Sequence, residues 1–170
     1  MRIPLRQAVV SAAFLLVAVV SLAQAAKKPG VLPAAELKSV VPSTYFFRGQ
    51  SATVQMRNAA AIRTKDDRYI LAALVDTSGY ASDVAQKYQG LFITEVKIKV
   101  EDSTLAPGAY GFGFTGDGKF VVDDVGANDV LSASSKHDDQ LKRAVPLKMV
   151  QDGEGYRLYA GKKYVAITIE

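Results

Sequence analysis

The chain has 170 residues, 49% of them hydrophobic, with 21 basic and 17 acidic side chains, one histidine and no cysteine. The missing cysteine excludes a disulfide framework, a thiolate metal site and a thiol nucleophile. Without Arg2 and Arg6, which belong to an expected export signal, nineteen basic groups face seventeen acidic ones. That balance is too even to point to nucleic acid or an anionic membrane.

The first element in the chain is that signal. Arg2 and Arg6 form a positive start, Ala8 to Leu22 is apolar apart from Ser11 and Ser21, and Ala23-Gln24-Ala25 is a small-x-small cleavage site. The run is shorter than the roughly 20 residues a spanning helix needs. Residues 1–25 are therefore expected to direct export to a periplasmic or extracellular setting, with no membrane span after cleavage. No cysteine follows the cut, so a lipid anchor is not expected. Residues 26–38, with Pro29, Gly30 and Pro33, read as an extended leader. Residues 39–170 read as a single domain.

Val40 to Phe47 is expected to enter a strand, and Arg48-Gly49-Gln50-Ser51 to turn it. Ala52 to Arg57 alternates, and Ala59 to Thr64 continues it after a bulge at Asn58. Tyr69 to Val75, YILAALV, is apolar throughout and bounded by turns, which predicts a strand buried on both faces. One helix is expected over Asp83 to Gln89, capped by Ser82 or Asp83 and closed by Gly90. Leu91 to Val100 reads as one long strand with Phe92, Val96, Ile98 and Val100 on one face and Glu95, Lys97 and Lys99 on the other.

Leu105 to Asp124 predicts a β-hairpin. Asp117-Gly118 is a strong hairpin signal, since a type I′ turn needs positive φ at both central residues. That turn would place Val122 across from Gly113 and Phe120 across from Thr115. Tyr110, Phe112 and Phe114 share one face, and Ala109, Gly111 and Gly113 share the other. Two glycines at i and i+2 weaken a strand. Either bulky cross-strand neighbours cover them, or they form a flat shelf for a ligand or another backbone. Further on, Val130 to Ser134 is a short strand, Lys136 to Arg143 a polar excursion, and Val145 to Val150 an edge strand because of Pro146. Tyr156 to Tyr159 and Tyr164 to Ile169 form a last hairpin. About nine closely spaced strands with one or two short helices predict a mainly β chain, either an antiparallel β-sandwich or a small β-barrel.

Three constellations could carry chemistry. An aromatic-lined interior would place Tyr110, Phe112, Phe114 and Phe120 against a small apolar ligand. Asp123, Asp124 and Asp129 are rich enough in oxygen to hold Ca2+, although the segment lacks the order of an EF-hand loop. His137, in Ser134-Ser135-Lys136-His137-Asp138-Asp139, is the one candidate base for a Ser-His-Asp arrangement, but no nucleophile-elbow motif accompanies it. No catalytic set is assembled and nothing requires a cofactor.

Leu105-Ala106-Pro107-Gly108-Ala109-Tyr110 resembles the L-x-x-G-x-Y strand opener of uncharacterised exported bacterial β-domain proteins. The resemblance implies an envelope or secreted setting and carries over no catalytic residue. The expectation is an exported non-enzymatic domain that binds a protein surface or a small apolar ligand. The alternative is an envelope hydrolase using the clustered aspartates, with or without Ca2+.

Overall fold

The apolar run Tyr69–Val75 forms a strand held between two others and covered on both faces. The computed structural model describes residues 28–170, and the export signal expected over residues 1–25 lies outside them. In chain order the elements begin with β1 (Gly30–Val31), α1 (Ala34–Val40), β2 (Thr44–Phe47), β3 (Gln50–Arg63) and β4 (Tyr69–Val75). Then come α2 (Ser82–Lys87), β5 (Gly90–Thr94), β6 (Ile98–Val100), β7 (Ser103–Leu105), β8 (Gly108–Phe114) and β9 (Lys119–Asp123). The chain closes with β10 (Asp129–Ser134), β11 (Lys136–His137), β12 (Val145–Asp152), β13 (Gly155–Gly161) and β14 (Lys163–Ile169).

The strands make two antiparallel sheets packed as a β-sandwich, and no barrel closes. The first, eight-stranded sheet runs β1-β3-β4-β5-β8-β9-β10, with β2 added on β3. The second, six-stranded sheet runs β12-β13-β14-β6-β7, with β11 added on β14. Between them lies one core. Ile62, Ile70, Phe92, Phe112 and Phe120 come from the first sheet, and Ile98, Met149, Leu158, Val165 and Ile167 from the second.

The first sheet has a second core on its outer face. There Leu71, Ala73, Val75 and Leu91 meet Leu37 of α1, Tyr45 and Phe47 of β2, and Tyr88 after α2. This explains YILAALV, in which Ile70 and Ala72 face inward while Leu71, Ala73 and Val75 face the outer layer. The bulge expected near Asn58 is present, as a register shift between Val54 and Ala59. It lets the first half of β3 carry the β2 hairpin over the outer face.

Several expectations are corrected. Residues 30–41 are part of the fold rather than a leader: β1 pairs with β3, and α1 buries Leu37. Pro33 stands at the helix start with extended backbone, where its missing N–H costs nothing. Val40 and Val41 end that helix instead of opening a strand. The stretch Leu91 to Val100 is two strands, not one: β5 belongs to the first sheet and β6 to the second. The break is made by side chains. The Thr94 hydroxyl donates to the Val96 carbonyl at 2.6 Å, and the Glu95 carboxylate accepts from the Tyr69 N–H at 2.8 Å. The second helix covers Ser82–Lys87, its cap residue Ala81 makes no side-chain bond, and Gly90 opens β5. The polar excursion from Lys136 to Arg143 contains a two-residue strand, β11.

The β8–β9 hairpin forms, with a different turn. Phe112 pairs with Val122, Gly113 with Val121 and Phe114 with Phe120, one residue away from the type I′ register. The loop is four residues long, and within it only Gly118 has positive φ, at 81°. Thr115 closes it: its hydroxyl bonds the Asp117 carboxylate, and its N–H donates to the Lys119 carbonyl at 2.8 Å. That local bonding replaces the left-handed Asp117 that a two-residue turn would need.

Candidate functional site

The outer layer docks on the first sheet through the glycines of β8. A Cβ on Gly113 would lie 1.8 Å from the Lys87 carbonyl oxygen, and one on Gly111 would lie 2.5 Å from the Phe47 ring. The glycines are therefore covered by another backbone and by aromatic rings from the outer layer, not by β9 neighbours. Phe47 and Tyr88 stack at 3.9 Å between centroids, with Tyr80 edge-on to Tyr88 at 5.1 Å. Gln89 fastens the end of the helical segment. Its N–H donates to the Phe112 carbonyl at 2.8 Å, and its side-chain amide pairs with both the N–H and the carbonyl of Phe114 at 3.0 Å.

This dock leaves polar atoms without partners. The hydroxyls of Tyr45 and Tyr88 and Oδ1 of Asp123 are buried with no hydrogen bond. Loss of solvent pushes the Tyr45 hydroxyl up to about 12 and Tyr88 higher still. A neutral phenol tolerates such a place better than a carboxylate does.

Asp123 is the more telling residue. It ends β9 and is 5% exposed. Alternation points it outward, because Phe120 and Val122 face the inner core. In the sheet it stands between Gly111 on β8 and Asp129 on β10. Like charges directly opposite across a ladder destabilise a sheet. Burial first, and then the charge of Asp129, push the Asp123 carboxyl up to about 6. Lys87 offers partial relief, its Nζ lying 3.7 Å from Asp129 Oδ1.

A cleft of about 190 Å³ opens above this pair. Phe47, Val84, Tyr88 and Ala127 supply its apolar wall. Arg48, Asp83, Lys87, Asp123 and Asp129 supply its charge. A larger groove of about 700 Å³ adjoins it and shares Lys87 and Asp129. That groove runs past Gln86, the Thr115–Asp117 turn and Ser132 of β10.

The residues singled out from sequence fall in different places. Phe112, Phe114 and Phe120 pack on one another in the inner core, Phe112 and Phe120 being 1% and 0% exposed. Tyr110 is half-buried beside them, and its hydroxyl donates to the Ala106 carbonyl at 3.0 Å. These rings hold the sheets together. Of the three aspartates considered for Ca2+, Asp123 and Asp129 are neighbours. Asp124 is turned into its own loop, where its carboxylate accepts from the N–H groups of Gly126 and Asn128 at 2.8 and 2.9 Å. Among the described residues no group of three His, Cys, Asp or Glu could hold a metal ion. His137 belongs to the second sheet and faces Asp139 at 3.5 Å, on the surface. Sequence reasoning missed Phe47, Lys87 and Tyr88 as companions of Asp123. The glycines at 111 and 113 were the available signal, since a bare strand face asks what lies on it.

Two more clefts flank β1, and both include Arg63. That guanidinium is already satisfied: it pairs with Glu36 at 2.8 Å and Asp67 at 3.2 Å, and it lies over the Tyr69 ring. These clefts therefore present no unmet polar group from Arg63.

No protein-family model matches the chain, and neither a curated protein nor a solved structure matches it significantly.

Proposed function

We propose that the protein is an exported binding domain whose recognition surface is the outer side of the first sheet, centred on the cleft over Asp123. The observation that carries this reading is Asp123 Oδ1, buried without a partner beside a second carboxylate. A buried carboxylate with an unmet oxygen is costly, and perturbed groups in clefts concentrate at functional sites. The adjoining groove adds polar contacts on one continuous surface. A polar or charged ligand fits this better than an apolar one held among Phe112, Phe114 and Phe120, since those rings fill the interior themselves. The resemblance of Leu105–Tyr110 to exported bacterial β-domains agrees with an envelope setting.

Amide chemical-shift mapping against small cationic, anionic, neutral and apolar molecules tests the reading. Shifts concentrated at Phe47, α2 and residues 123–129 are expected. Shifts confined to the second sheet, or none with any class, would refute it.

The hydrolase reading draws on the same two carboxyls. A carboxyl whose pKa is raised to about 6 beside a second carboxyl has the form of an acid–base pair. It requires turnover of a glycoside, ester or peptide substrate that both Asp123→Asn and Asp129→Asn abolish. Binding without turnover decides for the first reading.

A further inference from the structure

We infer that the cleft over Asp123 receives a primary ammonium group on a short apolar stem, the chemistry shared by a free alkylamine and by a lysine side chain. The inference rests on the binding-domain reading and names the ligand class for its site.

Charge argues first. With all groups ionised, the cleft is lined by three carboxylates, Asp83, Asp123 and Asp129, against two cations, Arg48 and Lys87. One monocation brings the set to neutrality. Asp123 Oδ1 has no donor, and Asp129 has only the ammonium of Lys87 at 3.7 Å, longer than a hydrogen bond. An ammonium seated beside them would separate two like charges, and a turn of the Asp123 side chain toward the cleft would bring its enclosed Oδ1 to the cation.

Shape argues second. A guanidinium seeks both oxygens of one carboxylate in a planar fork, whereas an ammonium is a compact charge with three donors. The lining of this cleft includes Asp123, with one unpaired oxygen, and its cross-strand neighbour Asp129. Ca2+ needs six to eight oxygens, and the residues here do not assemble even three ligands. The wall beside the carboxylates is apolar, from Phe47, Val84 and Ala127. That wall suits methylene groups, which lie along apolar surface while the charged head stays with the carboxylates. A volume of about 190 Å³ accommodates a four-carbon stem, and the adjoining groove leaves room for what the stem is attached to.

The test uses the purified protein at neutral pH with n-butylammonium chloride, n-butanol, CaCl2 and Nα-acetyl-lysine N-methylamide. Binding is read by NMR at the Asp123 carboxyl and by calorimetry. Saturable binding of n-butylammonium with no response to n-butanol is the expected result. The blocked lysine distinguishes the sources: if it binds as well, the cleft accepts a protein side chain; if only butylammonium binds, it accepts a free amine. Asp123→Asn is expected to weaken binding about tenfold or more, the scale for removing one partner of a charge-assisted bond. Lys87→Met, at a largely exposed position, removes the resident cation and is expected to tighten binding by about threefold, a modest gain from an exposed charge. That variant keeps the test open if Asp123→Asn fails to fold. Equal response to butanol and butylammonium, or tighter binding of the amine to Asp123→Asn, overturns the inference. A saturable response to CaCl2 in place of the amine overturns the ligand class and leaves the cleft as a site. Silence at Asp123 with all four probes overturns both the inference and the reading beneath it.

Discussion

The two sheets solve opposite problems. The second is covered on one face and wet on the other, and several of its outer polar groups pair with one another. Arg157 pairs with Asp152 at 2.7 Å and lies over the Tyr164 ring, Tyr159 donates to Asp138 at 2.9 Å, and Lys97 pairs with Glu170 at 2.8 Å. The first also carries an outer layer over β3, β4, β5 and β8, and among the described residues the buried side-chain polar atoms left without partners, Tyr45 Oη, Tyr88 Oη and Asp123 Oδ1, all belong to its outer side. A strand face turned to water solvates its polar groups. A strand face roofed by another layer must pair them or leave them stranded, so the roofed sheet is where a stranded carboxylate becomes informative.

The largest effect is expected where the roof meets the sheet. Gly113→Ala places a Cβ against the Lys87 carbonyl at 1.8 Å, a backbone atom that cannot step aside. Loss of about 3 kcal/mol or more is expected in denaturant unfolding, with the near-ultraviolet tyrosine signal reporting an undocked outer layer. An alanine variant as stable as the parent would mean that the roof is not seated on β8.

Next come matched aromatic deletions. Phe47→Ala removes a buried ring stacked on Tyr88 and is expected to cost about 3 kcal/mol. Tyr164→Ala removes a half-exposed ring from the wet face of the second sheet and is expected to cost about 1 kcal/mol. Equal costs would erase the distinction between the faces.

The two sheets should also answer pH with opposite signs. Asp123 has a folded pKa near 6 against an ordinary 3.8, so the native state holds the extra proton between those values. Stability from this group is present at low pH and falls as pH rises through about 4 to 6, by an amount on the order of 1–2 kcal/mol. Asp123→Asn removes that fall. Asp138 is held below its ordinary value, first by the Tyr159 hydroxyl, so its contribution is present above about pH 4 and is lost as pH falls through its folded pKa. Asp138→Asn flattens the acid limb instead. Unfolding midpoints across pH 3–8 separate the two variants.

The smallest effect belongs to the surface pair Arg157–Asp152. Asp152→Asn should leave the denaturation midpoint within experimental scatter, because exposed ion pairs contribute little.

Much of this fold could be read from the chain because burial writes a period. Tyr69–Val75 lacks polar positions since both its faces are covered, and Pro146 marks an edge that β12 does occupy. What escaped was written in side-chain contacts. Leu91–Val100 keeps its alternation while crossing from one sheet to the other, so the pattern cannot register the break at Thr94–Lys97. Residues 34–40 become a helix because Leu37 finds the outer core, a tertiary fact that the flanking prolines obscured. Asp123 and Asp129 were visible as acids. Their significance depends on Phe47 and Tyr88 lying over Gly111, which brings together residues more than sixty positions apart.

The most direct test of the stranded carboxylate is an NMR titration of the Asp123 side-chain carboxyl carbon in the free protein. The account predicts a midpoint near pH 6, well above the ordinary 3.8. A midpoint at or below 3.8 would mean that Asp123 already has its partner, and the outer side of the first sheet would lose its claim to a binding site.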